Sequence, residues 1–328
     1  MSKIITFIKH PITAVKSKLS DINRNKISKY LNPENFEKIS DKKAIKARYF
    51  INFGKYPDLK HPKTYNEKLQ WLKLYDRNPL YTKLVDKAEV KKIVADKIGE
   101  EYIVPTYGVW DRPEQIEWEK LPNRFVIKCT HDSGSTIVCG NKDLFDKNKV
   151  SERLKYCLSK SQFYYGREWP YKNVKPRIIV EQLLGDSDVA INDYKILCCN
   201  GEPKIIMLHQ GRRIHHTKDY YDANWNHLNI KQRSYAMSGM IMPKPKQLSK
   251  MLELSRVLSS GFPEIRVDWY LIDDKIYFGE LTFFEGSGFL VFDDPRDDEL
   301  IGSWIKLPDK RRKKDIANRR KEHLKKNG

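Results

Sequence analysis

Two short runs, Arg266-Val267-Asp268 and Gly279-Glu280-Leu281-Thr282, hold residue types that can manage charge at a phosphate group. The stretch that contains them reads as two antiparallel strands turned at Asp273-Asp274. Alternation puts Arg266, Asp268 and Tyr270 on one face of the first strand, and Phe278, Glu280 and Thr282 on one face of the second. If those faces coincide, two carboxylates and a hydroxyl converge with a guanidinium. Such oxygen donors suit magnesium, which typically takes one or two carboxylates and completes its shell with nucleotide phosphates. Two exposed carboxylates on an edge hairpin would show the same letters, but the apolar neighbours speak for burial.

Further along the chain, Phe125-Val126-Ile127-Lys128-Cys129 and Thr136-Ile137-Val138-Cys139 are β-rich runs around the polar loop Thr130 to Ser135, a hairpin with a glycine-bearing tip. Strands are expected at 177–184, 194–199, 203–209, 263–271 and 275–283, and helices over 65–100, near 148–162 and near 247–260. His215 and His216 are adjacent and would point oppositely on a strand, which argues against a shared ion. No nucleophile elbow, Walker A lysine or zinc spacing occurs.

Composition sets the frame. With 328 residues, 40% hydrophobic and 32% charged, the chain can bury a sizeable core and lacks the signature of disorder. Five cysteines, without CxxC spacing and mostly in apolar runs, read as reduced core residues. The charge of +19 invites a nucleic-acid reading, but it concentrates at the ends: seven Lys/Arg against one acid in residues 1–30, and ten against two in 310–328. Ile4, Ile8, Ile12, Val15, Leu19 and Ile22 recur at helical spacing, so the first segment reads as a basic amphipathic helix that could lie on an anionic membrane face or pack on its own domain. No signal peptide or 18-residue apolar span is present, and a cytoplasmic protein is expected, with its basic ends at the inner membrane face.

A lysine-ended strand, a small-residue loop, a Val-Glu strand end and an Arg-x-Asp to Glu-x-polar hairpin, in that order, resemble the ATP-grasp superfamily. The wording Lys-Cys-Thr-His-Asp-Ser-Gly, Tyr-Gly-Arg-Glu-Trp-Pro-Tyr-Lys-Asn, Asn-Asp-Tyr-Lys and Tyr-Phe-Gly-Glu-Leu-Thr-Phe is similar to the TupA-like ATP-grasp proteins, associated with teichuronopeptide and other bacterial surface-polysaccharide pathways. The resemblance covers roughly residues 45–307 and implies an α+β fold in which ATP is held between two α+β lobes, preceded by a helical region. It suggests a basic N-terminal segment over 1–44, a largely helical region over 45–122, a small lobe over 123–186, a large lobe over 187–307 and a basic tail over 308–328.

By that resemblance Lys128 meets the α- and β-phosphates, and the loop residues His131, Ser133, Gly134 and Ser135 close over them. Glu181, Gln182 and Leu184 form the adenine hinge, Asp186 or Asp188 is the ribose acid, and Lys195 is a second phosphate lysine that also serves catalysis. Asp268, Glu280 and Thr282 hold Mg2+, with Thr282 standing where many ATP-grasp ligases carry Asn. Arg266 steadies the transferred phosphoryl group, while Ser287 and Gly288 meet the acyl acceptor and Arg212 and Arg213 clamp an acidic sugar. The implied reaction phosphorylates a carboxylate with ATP and joins it to an amine. Partners would be an acidic saccharide or lipid-linked glycan and an amino acid or other amine, with no nucleic acid. A phosphotransferase acting on a sugar hydroxyl, a glycosyltransferase of the same pathway and a nucleic-acid-binding protein are the alternatives.

Overall fold

The computed structural model describes residues 36–185, 191–211 and 215–309. The amphipathic N-terminal segment, the basic tail from 310, Asp186, Asp188, Arg212 and Arg213 lie outside the described residues. The chain divides into two compact units, Met1–Pro62 and Lys63–Gly328. In the first, α1 (Asp41–Phe53) buries Ala44, Ile45, Ala47 and Tyr49, and it stops at Gly54, whose φ of 70° closes the helix in the left-handed region.

The second unit carries the predicted chemistry. Thr64 and Glu67 cap α2 (Tyr65–Tyr75) reciprocally: the Thr64 hydroxyl accepts from the Glu67 N–H, and the Glu67 carboxylate accepts from the Thr64 N–H. α3 (Leu80–Val85) and α4 (Glu89–Ile98) follow. A four-stranded antiparallel sheet then forms from β1 (Thr106–Trp110), β2 (Phe125–Cys129), β3 (Ile137–Cys139) and β4 (Ile178–Gln182), in the order β1-β4-β2-β3. Phe125, Ile127 and Cys129 of β2 and Ile178 and Val180 of β4 enter an apolar core closed by Val150 and Leu154 of α5 (Lys147–Leu158). Their strand neighbours Lys128 and Glu181 therefore face the other way.

The larger sheet is antiparallel throughout and runs β10-β9-β5-β6-β7-β8, built from β5 (Asp193–Cys199), β6 (Glu202–Gln210), β7 (Thr217–Tyr221), β8 (His227–Leu228), β9 (Glu264–Ile272) and β10 (Lys275–Thr282). α6 (Leu248–Ser259) lies against β9, β5 and β6, and the buried Trp269 donates its indole N–H to the Ser255 hydroxyl at 2.8 Å. Ile265, Val267 and Trp269 are fully buried, so the alternate set, Arg266 and Asp268, emerges on the opposite face. α7 (Pro295–Ser303), capped by Asp294, packs on α2. The β9–β10 turn falls at Asp273 and Asp274 as expected, both left-handed at φ 49° and 61°.

One expectation fails in an instructive way. Strict alternation would put Phe278 beside Glu280, but the register shifts between them, and Phe278 pairs with Trp269 while Glu280 pairs with Asp268. Gly279 is the extra residue of a β-bulge, and a Cβ there would stand 3.2 Å from both the Asp268 carbonyl and the Tyr270 ring. The bulge sends Phe278 into the core against Trp269, ring centroids 6.0 Å apart, and leaves Glu280 on the Asp268 face. The cysteines match their reading, four buried and Cys157 half-buried, all free thiols.

Candidate active site

On the face of the larger sheet opposite Ile265, Val267 and Trp269, Arg266 is the hub. Its Nε and Nη2 donate to the two Asp268 carboxylate oxygens at 2.5 and 2.6 Å, and Nη2 also reaches Glu280 Oε1 at 2.9 Å and Thr282 Oγ1 at 3.0 Å. Nη1 donates to Glu285, and Lys195, across the β5–β9 ladder, donates to Asp268. The bulge at Gly279 makes this convergence possible, because it restores Glu280 and Thr282 to the face that carries Arg266 and Asp268.

Charge explains how so many ionised groups stay buried. Burial alone would raise the Glu280 carboxyl, but Lys87, Arg266 and Lys195 outweigh it and hold Glu280 well below the usual range. For Glu285 burial is likewise overcome, here by Arg266, Lys218 and Lys195, and the group is brought down to about 2. Lys218 goes the other way: desolvation exceeds the attraction of Glu285, 3.6 Å away, and lowers the ammonium to about 8. Arg266, Lys195, Lys218 and the half-buried Lys87 are interleaved here with Asp193, Asp268, Glu280, Glu285 and the adjoining Glu168, so that cations and carboxylates nearly balance.

The smaller sheet repeats the pattern. Glu181 is clasped by Lys128 and Lys91, each at 2.5 Å, and the pair holds its carboxyl down against the effect of burial. Lys91 also donates to the Val104 carbonyl at 2.6 Å and the Thr106 hydroxyl at 2.7 Å. In the 131–135 loop, Ser133 and Gly134 are exposed at the tip, whereas His131 and Ser135 are buried and brace the stem. Ser135 Oγ accepts from the Cys129 N–H at 2.8 Å and donates to Asp132 at 2.6 Å, while His131 Nε2 lies 3.1 Å from the Lys160 carbonyl. Gly134 takes φ 95°, a conformation that only glycine adopts without strain.

Two of the expected hinge groups differ in what they can offer. The Gln182 N–H donates to the Pro105 carbonyl at 2.9 Å, and Leu184 is buried. His216 bonds with His209 across 2.8 Å rather than with its neighbour His215.

Sequence reasoning missed the residues that tie these parts together. Lys87, between α3 and α4, donates from its backbone to Thr130 and from Nζ to the Asp132 carbonyl at 2.5 Å, and its charge is the strongest influence holding Glu280 ionised. It thus joins the loop of one sheet to the acid hairpin of the other. Lys73 of α2 is fully buried and donates to the carbonyls of Gly166 at 2.6 Å and Ser287 at 2.9 Å. Gly166 packs so closely on Ser287 that a Cβ would meet its hydroxyl at 1.8 Å, and burial pushes the adjacent Glu168 up to about 7. Both lysines stand in helix-rich stretches where a charged residue reads as solvated surface, so no sequence signal marked them. Glu285 was visible only as part of the Glu-Gly-Ser-Gly run.

Among the described residues, no group of three His, Cys, Asp or Glu is arranged to hold a metal ion. The expected donor set mixes types: Asp268 Oδ2, Glu280 Oε1 and Thr282 Oγ1 all lie within 3.0 Å of one nitrogen, Arg266 Nη2. Three hard oxygens that converge on one cationic atom fit the chemistry of magnesium.

Two antiparallel sheets with helices, each turning lysines and carboxylates to the face away from its core, are what the ATP-grasp resemblance implies. The profile of the family TupA-like ATPgrasp matches residues 67–306, and the chain belongs to that family. No curated protein matches the sequence. Among solved structures, the chain is similar to the D-alanine–D-alanine ligase of Helicobacter pylori, at 16% identity and TM-score 0.39 over 74% of this chain and 69% of that one. It is also similar to the D-alanine–D-alanine ligase of Bacillus anthracis complexed with ATP, at 14% identity and TM-score 0.36 over 61% of this chain. It spans 54% of that ligase's length. A third likeness is to the ATP-grasp ligase PsnB with a minimal precursor variant, Mg and ADP, at 12% identity and TM-score 0.38, covering 72% and 65% of the two chains. No helix among the described residues is long and apolar enough to cross a membrane.

Proposed function

We propose that the chain is an ATP-dependent carboxylate–amine ligase. ATP phosphorylates a carboxylate, an amine displaces phosphate from the acyl phosphate, and ADP and phosphate leave. The observation that carries this reading is the grouping of cations around carboxylates on both sheets, Arg266 and Lys195 on Asp268 and Lys128 and Lys91 on Glu181. Two ammonium groups on the one Glu181 carboxylate leave local positive charge that favours an anion, and a triphosphate supplies one.

The residues divide the work by position. Lys128 and Lys87 would bring point-charge ammonium groups to phosphate oxygens, and the backbone N–H groups of the exposed residues Ser133 and Gly134 would donate to them. Asp268, Glu280 and Thr282 would hold magnesium, which when bound neutralises charge on the phosphates. Arg266 offers a planar fork and Lys195 an ammonium beside those acids, fixed in advance by Asp268, so little reorganisation is needed as charge develops. Ser287 and Gly288, held by Lys73 and by Gln70, which donates to the Gly288 carbonyl at 2.6 Å, form the wall for the acceptor.

For the substrate, the family resemblance supports a uronic acid or amino acid carboxylate of a bacterial surface-polysaccharide precursor, with the basic ends near the membrane. ADP release from Mg-ATP would be measured with hexuronates, with and without amino acids. Turnover that needs both acid and amine supports the ligase. ADP formed with a neutral sugar and no amine would replace it with a phosphotransferase.

A further inference from the structure

Beside β7 and β8 the chain leaves the sheet and forms a turn around Gly239, whose φ is 75°. Its stem is tightly anchored. The Ser238 N–H donates to Asp219 at 3.1 Å, the Met242 N–H to the Tyr221 hydroxyl at 3.0 Å, and the Trp225 indole N–H to the Met242 carbonyl at 2.8 Å. Trp225 is itself fixed by stacking on Tyr221, centroids 4.2 Å apart and planes 9° from parallel. Inside the turn, Ser238 Oγ accepts from the Met240 N–H at 3.2 Å and donates to its carbonyl at 3.0 Å.

All this holds out two large apolar side chains. Met240 is 66% exposed and Ile241 75% exposed, at a turn tip where glycine, asparagine, serine or aspartate would satisfy the backbone without presenting hydrocarbon to water. Pro243 and Pro245 extend the chain that follows, and they alternate with the exposed Lys244 and Lys246, the latter 3.4 Å from Asp274. An apolar tip on an anchored stem, next to lysines, matches a surface that is hydrocarbon within and anionic at its rim. Two side chains are far too small for a specific protein interface, which needs about 800 Å² per partner. They are sufficient to seat at the boundary between headgroups and acyl chains, where lysine stems can reach up to phosphate.

We infer that Met240 and Ile241 form an insertion prong for an anionic lipid bilayer, with Lys244 and Lys246 at headgroup level. The prong lies outside the candidate active site and does not depend on the ligase reading. It also differs from a basic-end attachment, because hydrocarbon contact persists in salt that screens charge.

The test uses the full chain and vesicles of equimolar phosphatidylglycerol and phosphatidylcholine, with phosphatidylcholine alone for comparison. A polarity-sensitive dye on Ile241→Cys, in a Cys157→Ser background, is expected to shift to the blue with anionic vesicles. The same dye on Leu144→Cys, 85% exposed on the smaller sheet's side, is expected to remain in water. Met240→Ser with Ile241→Ser should lower sedimentation with anionic vesicles about tenfold, with no change in the unfolding midpoint. Lys244→Glu with Lys246→Glu should weaken binding to the anionic vesicles only. The inference is overturned if the parent does not bind anionic vesicles, if the double serine variant binds like the parent, or if the dye at 241 reports water or shifts no more than the dye at 144.

Discussion

Replacing Arg266 by lysine keeps the charge and removes the fork, so it isolates what the planar geometry contributes. Arg266 makes five hydrogen bonds, two to Asp268 and one each to Glu280, Thr282 and Glu285. An ammonium has three donors at one point, so Arg266→Lys forfeits at least two of these bonds. Bonds to charged groups contribute roughly 1.5–3 kcal/mol each, which places the loss at about 3–6 kcal/mol, and water entering the vacated space brings it toward the lower figure. Urea unfolding followed by tryptophan fluorescence reads the change, because Trp269 is fully buried on the same strand. A surface control is Arg256→Lys, whose pair with Glu202 is half-exposed at 3.0 Å and should change stability by less than ~0.5 kcal/mol. A stability loss at Arg266→Lys no larger than that control would refute the argument that the hub organises the acids.

Gly279→Ala places a Cβ 3.2 Å from the Asp268 carbonyl, so it should cost about 1–2 kcal/mol and reduce ATP turnover by displacing Asp268; denaturation and initial rates check both. Lys73→Met leaves the Gly166 carbonyl without its donor and the Ser287 carbonyl with only the 3.2 Å bond from Gln70, an expected loss of about 1–3 kcal/mol, seen as faster hydrogen exchange over residues 286–290. Glu264 accepts from Tyr65 and the Phe284 N–H, and burial raises it to about 7. A raised carboxyl means that the folded chain binds more protons than the unfolded one between about pH 4.5 and 7, so this stabilisation is complete at low pH and is lost as pH rises through about 7. Stability should therefore fall by ~1–2 kcal/mol from about pH 5 to 8 relative to Glu264→Gln, in which that difference is abolished; equal slopes in parent and variant would count against it.

The hairpin was legible because its letters carry both period and chemistry: β-branched and aromatic residues fix the strands, and the Asp-Asp turn fixes their pairing. Alternation alone still placed Phe278 wrongly, since a one-residue bulge at Gly279 inverts the face of everything before it. β1 and β7 were not foreseen, because Thr106–Trp110 follows a helix-rich stretch without a turn signal of its own and Thr217–Tyr221 reads as polar. Lys128, Glu181 and Lys195 were singled out only through family wording, whereas Asp268 came from its strand; the contacts among them depend on ladder registers between strands distant in sequence. The buried Lys73 and half-buried Lys87 were invisible for the same reason, since such a cation is recognised by its partners and not by its neighbours in the chain.

The central claim is that the phosphoryl group of ATP passes to a carboxylate. It is tested most directly with a hexuronate whose carboxylate carries heavy oxygen, incubated with Mg-ATP and an amino acid, followed by mass analysis of the released phosphate. The account predicts one labelled oxygen per phosphate, lost together with turnover in Glu280→Gln. Phosphate that forms without label, or label that stays wholly in the sugar while ADP accumulates, would contradict it.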